Sequence, residues 1–253
     1  MKKTIVYCAL LGGVLALGGC SSQGSKKAAD AATVAAASTA QQPGMKSEAC
    51  DLTVGNVHFT RAINGAMQGV GLKDGGALEF RCGPKADIFS DPNGGKLTNN
   101  TVPMLLAEVD NTKPFTLTAK VTPTFTSGGT YNAGDLFVFA DDELWQKLAF
   151  EQDERGNHRI VSVRTRGTSD DNNHEVVKQP WVYLKISSDT RTIASYYSLD
   201  GKEWWMARLY QNDYPATVWL GLATQCPVEQ GTTCLFEEVS LQPVSVADFR
   251  LGV

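Results

Sequence analysis

The stretch "FTLTAKVT", residues 115–122, decides the fold. In an extended chain successive side chains point to opposite sides. Phe115, Leu117, Ala119 and Val121 therefore make one apolar row, and Thr116, Thr118, Lys120 and Thr122 make a wet one. Similar short runs rich in Val, Leu, Thr and aromatics recur on either side: "ALEFRC" (77–82), "PMLLAEV" (103–109), "DLFVFA" (135–140), "WQKLAFEQ" (145–152), "HRIVSVRT" (158–165), "WVYLKIS" (181–187), "TIASYYS" (192–198), "WWMARLY" (204–210), "TVWLGLA" (217–223) and "LFEEVSL" (235–241). Gly, Asn, Asp and Pro break them at hairpin spacing. "DERGN" (153–157) and "SLDGKEW" (198–204) place Gly156 and Gly201 where a tight turn needs positive φ. No long helix is required. Eleven or so antiparallel strands in one domain must pack as two sheets, so the expected architecture is all-β, a two-sheet antiparallel jelly-roll sandwich.

Outside that domain the chain reads differently. "MKKTIVYCALLGGVLALGGCSS" opens with Lys2 and Lys3 and runs apolar from Ile5 to Leu17, too short to cross a bilayer as a mature helix and shaped like an export signal. It ends in Leu17-Gly18-Gly19-Cys20, which resembles the bacterial lipobox and makes residues 1–19 a lipoprotein signal peptide. Cys20 would then be acylated, palmitate-type chains contributing about 0.8 kcal/mol per buried CH₂ and holding the protein on a membrane. Residues 20–48, rich in Ala, Ser, Thr and Gln, cannot bury enough surface to offset chain entropy and read as a lipid-anchored, disordered tether. The domain proper is expected over 49–253. The implied location is the cell envelope, and Ser21 after the cysteine suggests the outer membrane if the host is Gram-negative.

Removing the signal takes away Lys2 and Lys3, leaving 21 basic against 27 acidic residues. An acidic surplus argues against a nucleic-acid partner, because phosphate binding needs a basic face. Four cysteines belong to the domain, and an even number in an exported chain favours disulfides. "CPVEQGTTC" (226–234) looks like a hairpin loop, which favours Cys226–Cys234 and leaves Cys50–Cys82. A zinc site lacks both a C-x₂-C pair and neighbouring histidines.

Three segments, "GGALEFRCGPKADIFSDPNGG" (75–95), "FEQDERGNHRIVSVRTRGTSDDNN" (150–173) and "YYSLDGKEW" (196–204), together resemble the domain of unknown function 1349 family. The resemblance implies a concanavalin A-like lectin/glucanase fold over nearly all of 50–253, with a concave sheet that serves as a carbohydrate platform. Sugars offer apolar C–H faces to rings and hydroxyls to carboxylate, amide and guanidinium groups. Strand parity proposes Trp145, Lys147 and Glu151 on one strand, Arg164 and Arg166 on the next, then Trp181 and Tyr183, with Tyr196 and Trp219, as residues able to line such a face. Any single tryptophan is more often a core or rim residue, and the signal lies in charge and aromatics recurring at the same parity.

"RTRGTSDDNNHEV" (164–176) follows as the exit of a strand, and the family carries an R-G-x-S-D element there. Asp170 and Asp171 either accept sugar hydroxyls, with Arg164 or Arg166 orienting them or binding an anionic group, or belong to a turn that caps its own backbone and pairs an arginine for structure. A calcium loop built on Asp170 and Asp171 is a weaker alternative without EF-hand spacing. The expected function is non-catalytic binding of a glycan, envelope polysaccharide or polyol, with a protein partner as another reading. A glycosidase would draw on Glu151 and Asp153 of "EQDE", although Gly156 stands where the resembled glucanases carry their last acid.

Overall fold

The computed structural model describes residues 44–253. The signal, Cys20 and the tether through residue 43 lie outside the described residues. One sheet has eight strands in the order β1 (Ser47–Val54), β2 (Val57–Ile63), β7 (Met104–Asp110), β16 (Thr217–Gln225), β9 (Ala133–Asp141), β10 (Leu144–Gln152), β11 (His158–Arg166) and β12 (Thr168–Val176). The other has seven: β15 (Trp205–Gln211), β14 (Thr192–Ser198), β13 (Val182–Ser188), β8 (Phe115–Pro123), β17 (Thr232–Gln242), β4 (Leu78–Cys82) and β3 (Val70–Leu72). A small ribbon pairs β5 (Ile88–Phe89) with β6 (Asn99–Asn100). Neighbouring strands pair antiparallel, and the two large sheets form the jelly-roll sandwich that the alternation predicts. β1 starts at Ser47, so the chain is already paired within the last residues assigned to the tether.

The core follows from parity. Phe115, Leu117, Ala119 and Val121 of β8 are buried while the threonines and Lys120 between them are half-exposed. Opposite them, Leu136, Val138, Leu148, Phe150, Leu220 and Leu222 of the eight-stranded sheet complete one apolar layer with Leu184, Ile186 and Phe236. Gly156 and Gly201 take φ 76° and 75°, as their turns require.

Two features depart from expectation. β12 runs through "TSDDNNHEV", which has hardly an apolar side chain. It is an edge strand, paired only to β11, and charge along an exposed edge discourages a further strand from adding there. The second is a cover on the outer face of the eight-stranded sheet. Residues 83–103, carrying β5 and β6, fold over that face as an arm. Ile88 and Val102 pack there with Phe137, Phe139, Trp145, Val161 and Val163 in a second apolar cluster. β10 is consequently buried on both sides along nearly its whole length.

Candidate binding cleft on the eight-stranded sheet

The arm fills one part of the outer face and leaves a cleft of about 520 Å³ beside it. Parity along β10 sends Trp145, Lys147, Ala149 and Glu151 outward, as read from the sequence; Val163 stands opposite Lys147 and Val161 opposite Ala149 on β11. Lys147 and Glu151 enter the cleft, whereas Trp145 lies under the arm, wholly buried against Phe137. Across β11, Asp171 stands opposite Val163 and Asn173 opposite Val161, so these two side chains of β12 form one rim. The arm supplies Asp87, Phe89 and Lys96, and Tyr131 closes another side.

Gln225, at the end of β16, organises the floor. Its Oε1 accepts from Lys147 Nζ at 2.8 Å, and its Nε2 donates to Glu151 Oε2 at 2.9 Å and to the Tyr131 carbonyl at 2.8 Å. Lys147 Nζ also donates to the Ile88 carbonyl at 3.2 Å, tying the arm to the sheet, and lies 3.7 Å from Asp87. On β9, Asp135 stands between Ala149 of β10 and Ala223 of β16. It is completely buried, and neither of its carboxylate oxygens has a hydrogen-bond partner among the described residues.

Dehydration governs the protonation of this group. Burial lifts Asp135 to about 7, opposed by Lys147 and reinforced by Asp87. Burial likewise pushes Glu151 well above the carboxylate range, against the pull of Lys147. Burial also works against the Lys147 ammonium, but Asp87, Asp135, Glu151 and Asp171 outweigh it and hold that group charged beyond its usual range. Asp171 on the rim is raised by partial desolvation. The cleft thus offers a cation in Lys147, the carboxyls of Glu151 and Asp171, both shifted by burial towards the protonated form, and two rings, Phe89 and Tyr131.

The other expected site residues do not converge here. Arg164 faces the opposite way, into the space between the sheets. Its Nη2 contacts both Asp213 oxygens at 2.7 and 2.8 Å, and its guanidinium lies 4.3 Å from the Tyr210 ring of β15. Arg166 reaches the same aspartate at 3.2 Å. Asp170, one residue out of phase with Asp171, pairs with Arg208 at 3.2 Å. These groups clamp the free edges of the two sheets together, which is the structural reading of the "RTRGTSDDNNHEV" stretch. Because the segment is a strand, Asp170 and Asp171 point to opposite faces and cannot chelate one calcium ion.

Tyr183 belongs to β13 of the seven-stranded sheet and Trp181 immediately precedes that strand, its ring edge-on to Tyr183. Lys120 Nζ lies 5.1 Å from the Trp181 ring, and the Tyr183 hydroxyl donates to Glu238 at 2.9 Å. Tyr196 is buried, its hydroxyl on the Phe249 carbonyl at 2.8 Å. Trp219 does share the outer face of the eight-stranded sheet, but it packs with the second apolar cluster and is covered by Arg61 at 5.2 Å. The expected single surface of Arg164, Trp181, Tyr183 and Trp145 is therefore not formed. The two-faced alternation of a strand and the presence of a second sheet separate them.

Asp153 is likewise consumed by structure. It accepts from the Arg155 and Asn157 backbone N–H groups and from Arg159 at 2.8 Å, so it is a turn-capping ion pair and not a partner for Glu151. The cysteine pairing is also corrected. β16 and β17 lie in different sheets, so residues 226–234 cross between sheets instead of closing a hairpin. Cys234 lies in the intersheet core, away from Cys226, whose side chain lies against Cys82; no cross-link joins any of the four described cysteines in the structure.

Gln225, Asp135, Phe89, Asp87 and Tyr131 escape the sequence reading. Gln225 continues the parity of Trp219 and Ala223, so extending that strand by two residues would have found it, and Asp135, already inside the expected strand 135–140, shares the parity of Phe137. The arm and Tyr131, which takes φ 64°, follow no periodic pattern.

The family described as "Protein of unknown function (DUF1349)" matches residues 68–244, more than half of the chain. No curated protein matches. Among solved structures, a functionally unknown protein from Saccharomyces cerevisiae is 20% identical, with a TM-score of 0.62, covering 79% of this chain and 96% of that one. The GH43 BlXynB protein from Bacillus licheniformis is 15% identical, TM-score 0.56, covering 80% of this chain and 39% of that one. A GH43 glycoside hydrolase engineered to display endo-xylanase and exo-arabinofuranosidase activity is 14% identical, TM-score 0.56, covering 82% and 42%. This chain thus spans well under half the length of either GH43 protein, and at these identities the likeness is one of fold.

Proposed function

The chain belongs to the DUF1349 family, and from that premise we propose that it is a non-catalytic binding protein taking a glycan or polyol in the cleft beside the arm. The observation that carries this reading is the gathering of Lys147, Glu151, Asp171 and Asn173 with the rings of Phe89 and Tyr131 around one cleft of about 520 Å³. That volume is in the range of small-ligand sites, and the mixture of hydroxyl-matching groups and ring faces suits a sugar. The unpartnered carboxylate of Asp135 behind it supports a site built for more than folding. The lipobox-like Leu17-Gly18-Gly19-Cys20 supports display on the cell envelope through an acylated Cys20.

A glycan array followed by titration calorimetry tests the reading. Wild type should bind at least one envelope or plant-type oligosaccharide. Tyr131→Ala and Asn173→Ala, both at the rim, should weaken binding about tenfold or more, in line with roughly 1–2 kcal/mol for a ring face or polar contact. No carbohydrate above background would remove it. One observation favours a hydrolytic alternative, namely a Glu151 carboxyl raised in a cleft that also holds Asp171. Reducing-sugar release abolished by Glu151→Gln would establish that alternative in place of binding alone.

A further inference from the structure

We propose that Cys82 and Cys226 form a disulfide that fastens the root of the arm to the floor of the cleft. The inference concerns how the arm is held and is independent of what the cleft binds. Cys82 ends β4, in the seven-stranded sheet, and is the last residue before the arm. Cys226 follows β16, in the other sheet, and is the neighbour of Gln225. Their side chains meet directly, and with Ala86 they form a small cluster separate from both larger cores.

The backbones around the pair are fixed from both sides. Cys226 N–H donates to the Ala86 carbonyl at 2.8 Å and Ala86 N–H returns to the Cys226 carbonyl at 3.2 Å, while Thr232 stands opposite Cys82 in the β4–β17 ladder. Neither sulfur therefore needs the chain to move far to reach the other, the usual obstacle to a cross-link. The remaining thiols have other surroundings. Cys50, on edge strand β1, donates to the Phe59 carbonyl at 3.4 Å, and Cys234 lies completely buried in the intersheet core.

The surroundings also distinguish the two sulfurs chemically. Burial raises the Cys226 thiol, but the backbone N–H groups of Glu229 and Gly231 act in the other direction by donating to its sulfur. Cys82 is pushed up to about 12, by burial above all. Both thiols are buried in the folded chain, so oxidation precedes closure of the arm and either sulfur can attack first. The oxidant is a disulfide, supplied by an envelope thiol oxidase or by oxidised glutathione. With Cys226 leading, its thiolate attacks one sulfur of the oxidant, forming a mixed disulfide and releasing the other as a thiolate. Cys82 then loses its proton to solvent and attacks the Cys226 sulfur, closing the protein disulfide and releasing the second external thiolate. Two cysteine thiols are oxidised and one external disulfide is reduced to two thiols. The reaction belongs to folding, before the arm closes over the pair.

The full-length chain refolded from urea in a glutathione redox buffer, then alkylated without reduction, tests this directly. Digestion with trypsin and a glutamyl endopeptidase releases the Cys82–Lys85 peptide and cuts after Glu229, separating Cys226 from Cys234. The expected product joins the Cys82 peptide to the one ending at Glu229, with Cys50 and Cys234 alkylated. Dithiothreitol reduction should then lower the Tm by roughly 5 °C or more, and a Cys82→Ser/Cys226→Ser variant should show no such response. Alkylation of both Cys82 and Cys226, or a link through Cys50 or Cys234, overturns the assignment.

Discussion

Replacing Asp135 by asparagine should change how stability depends on pH, in a direction fixed by where that carboxyl lies. The ordinary aspartate value is 3.8 and burial lifts the folded-state value to about 7. A group raised on folding contributes stability that is fully present below its unfolded value and is lost as pH rises towards the folded one. The window is therefore about pH 4 to 7. A difference of about three pH units corresponds to about 4 kcal/mol, as an upper figure, since each unit is 1.36 kcal/mol. The size is physically reasonable because the side chain is wholly buried and neither oxygen receives a hydrogen bond, leaving only Lys147 to offset the ionised form. Asparagine keeps the shape and cannot ionise. Urea midpoints for wild type and Asp135→Asn, measured from pH 4 to 8.5, should nearly coincide or favour wild type at the acid end. They should then diverge until the variant is the more stable by several kcal/mol near pH 8. Parallel profiles, or a variant that loses stability relative to wild type as pH rises, would refute the reasoning and show that attraction to Lys147 governs the site.

Three further outcomes follow from the same contacts. Lys147→Met should cost about 3–5 kcal/mol at pH 8, where Asp87 and Asp135 lose their counter-charge, and measurably less at pH 5, read from urea midpoints. Arg164→Ala should destabilise by about 2 kcal/mol, and a double-mutant cycle with Asp213→Asn should return a coupling of about 1–2 kcal/mol while carbohydrate affinity stays unchanged. Trp145→Ala should cost about 3–5 kcal/mol of folding stability, because a wholly buried ring leaves a cavity under the arm.

Eleven of the strands are legible because each shows an apolar row of period two, and β8 shows it most plainly. β12 is not, since an edge strand with both faces wet carries no such row. The placement of Lys147 and Glu151 in one cleft follows from parity alone. Parity also relates Arg164 to Arg166, but it cannot say which face of a strand looks outward. That choice depends on the partner sheet: Tyr210 of β15 and Asp213 just beyond it hold Arg164 inward, while Arg166 reaches the same aspartate from an exposed position at the end of its strand. Trp181 and Tyr183 were separated from the cleft by long-range topology, because β13 pairs with β8 and β14 in the other sheet. The arm is the least legible part. Its Gly- and Pro-rich sequence has no period, and its packing depends on Ile88 meeting a cluster assembled from six strands of the eight-stranded sheet.

The arm has a geometric consequence for any polymer that visits the cleft. On a bare curved sheet a long chain can lie across the strands and continue past both edges. Here Ile88, Phe89 and their neighbours stand in that track, so a polysaccharide would meet a dead end and present its tip instead of its middle. Recognition would then scale with the number of chain ends, and a few long strands would bind far less protein than the same mass cut short.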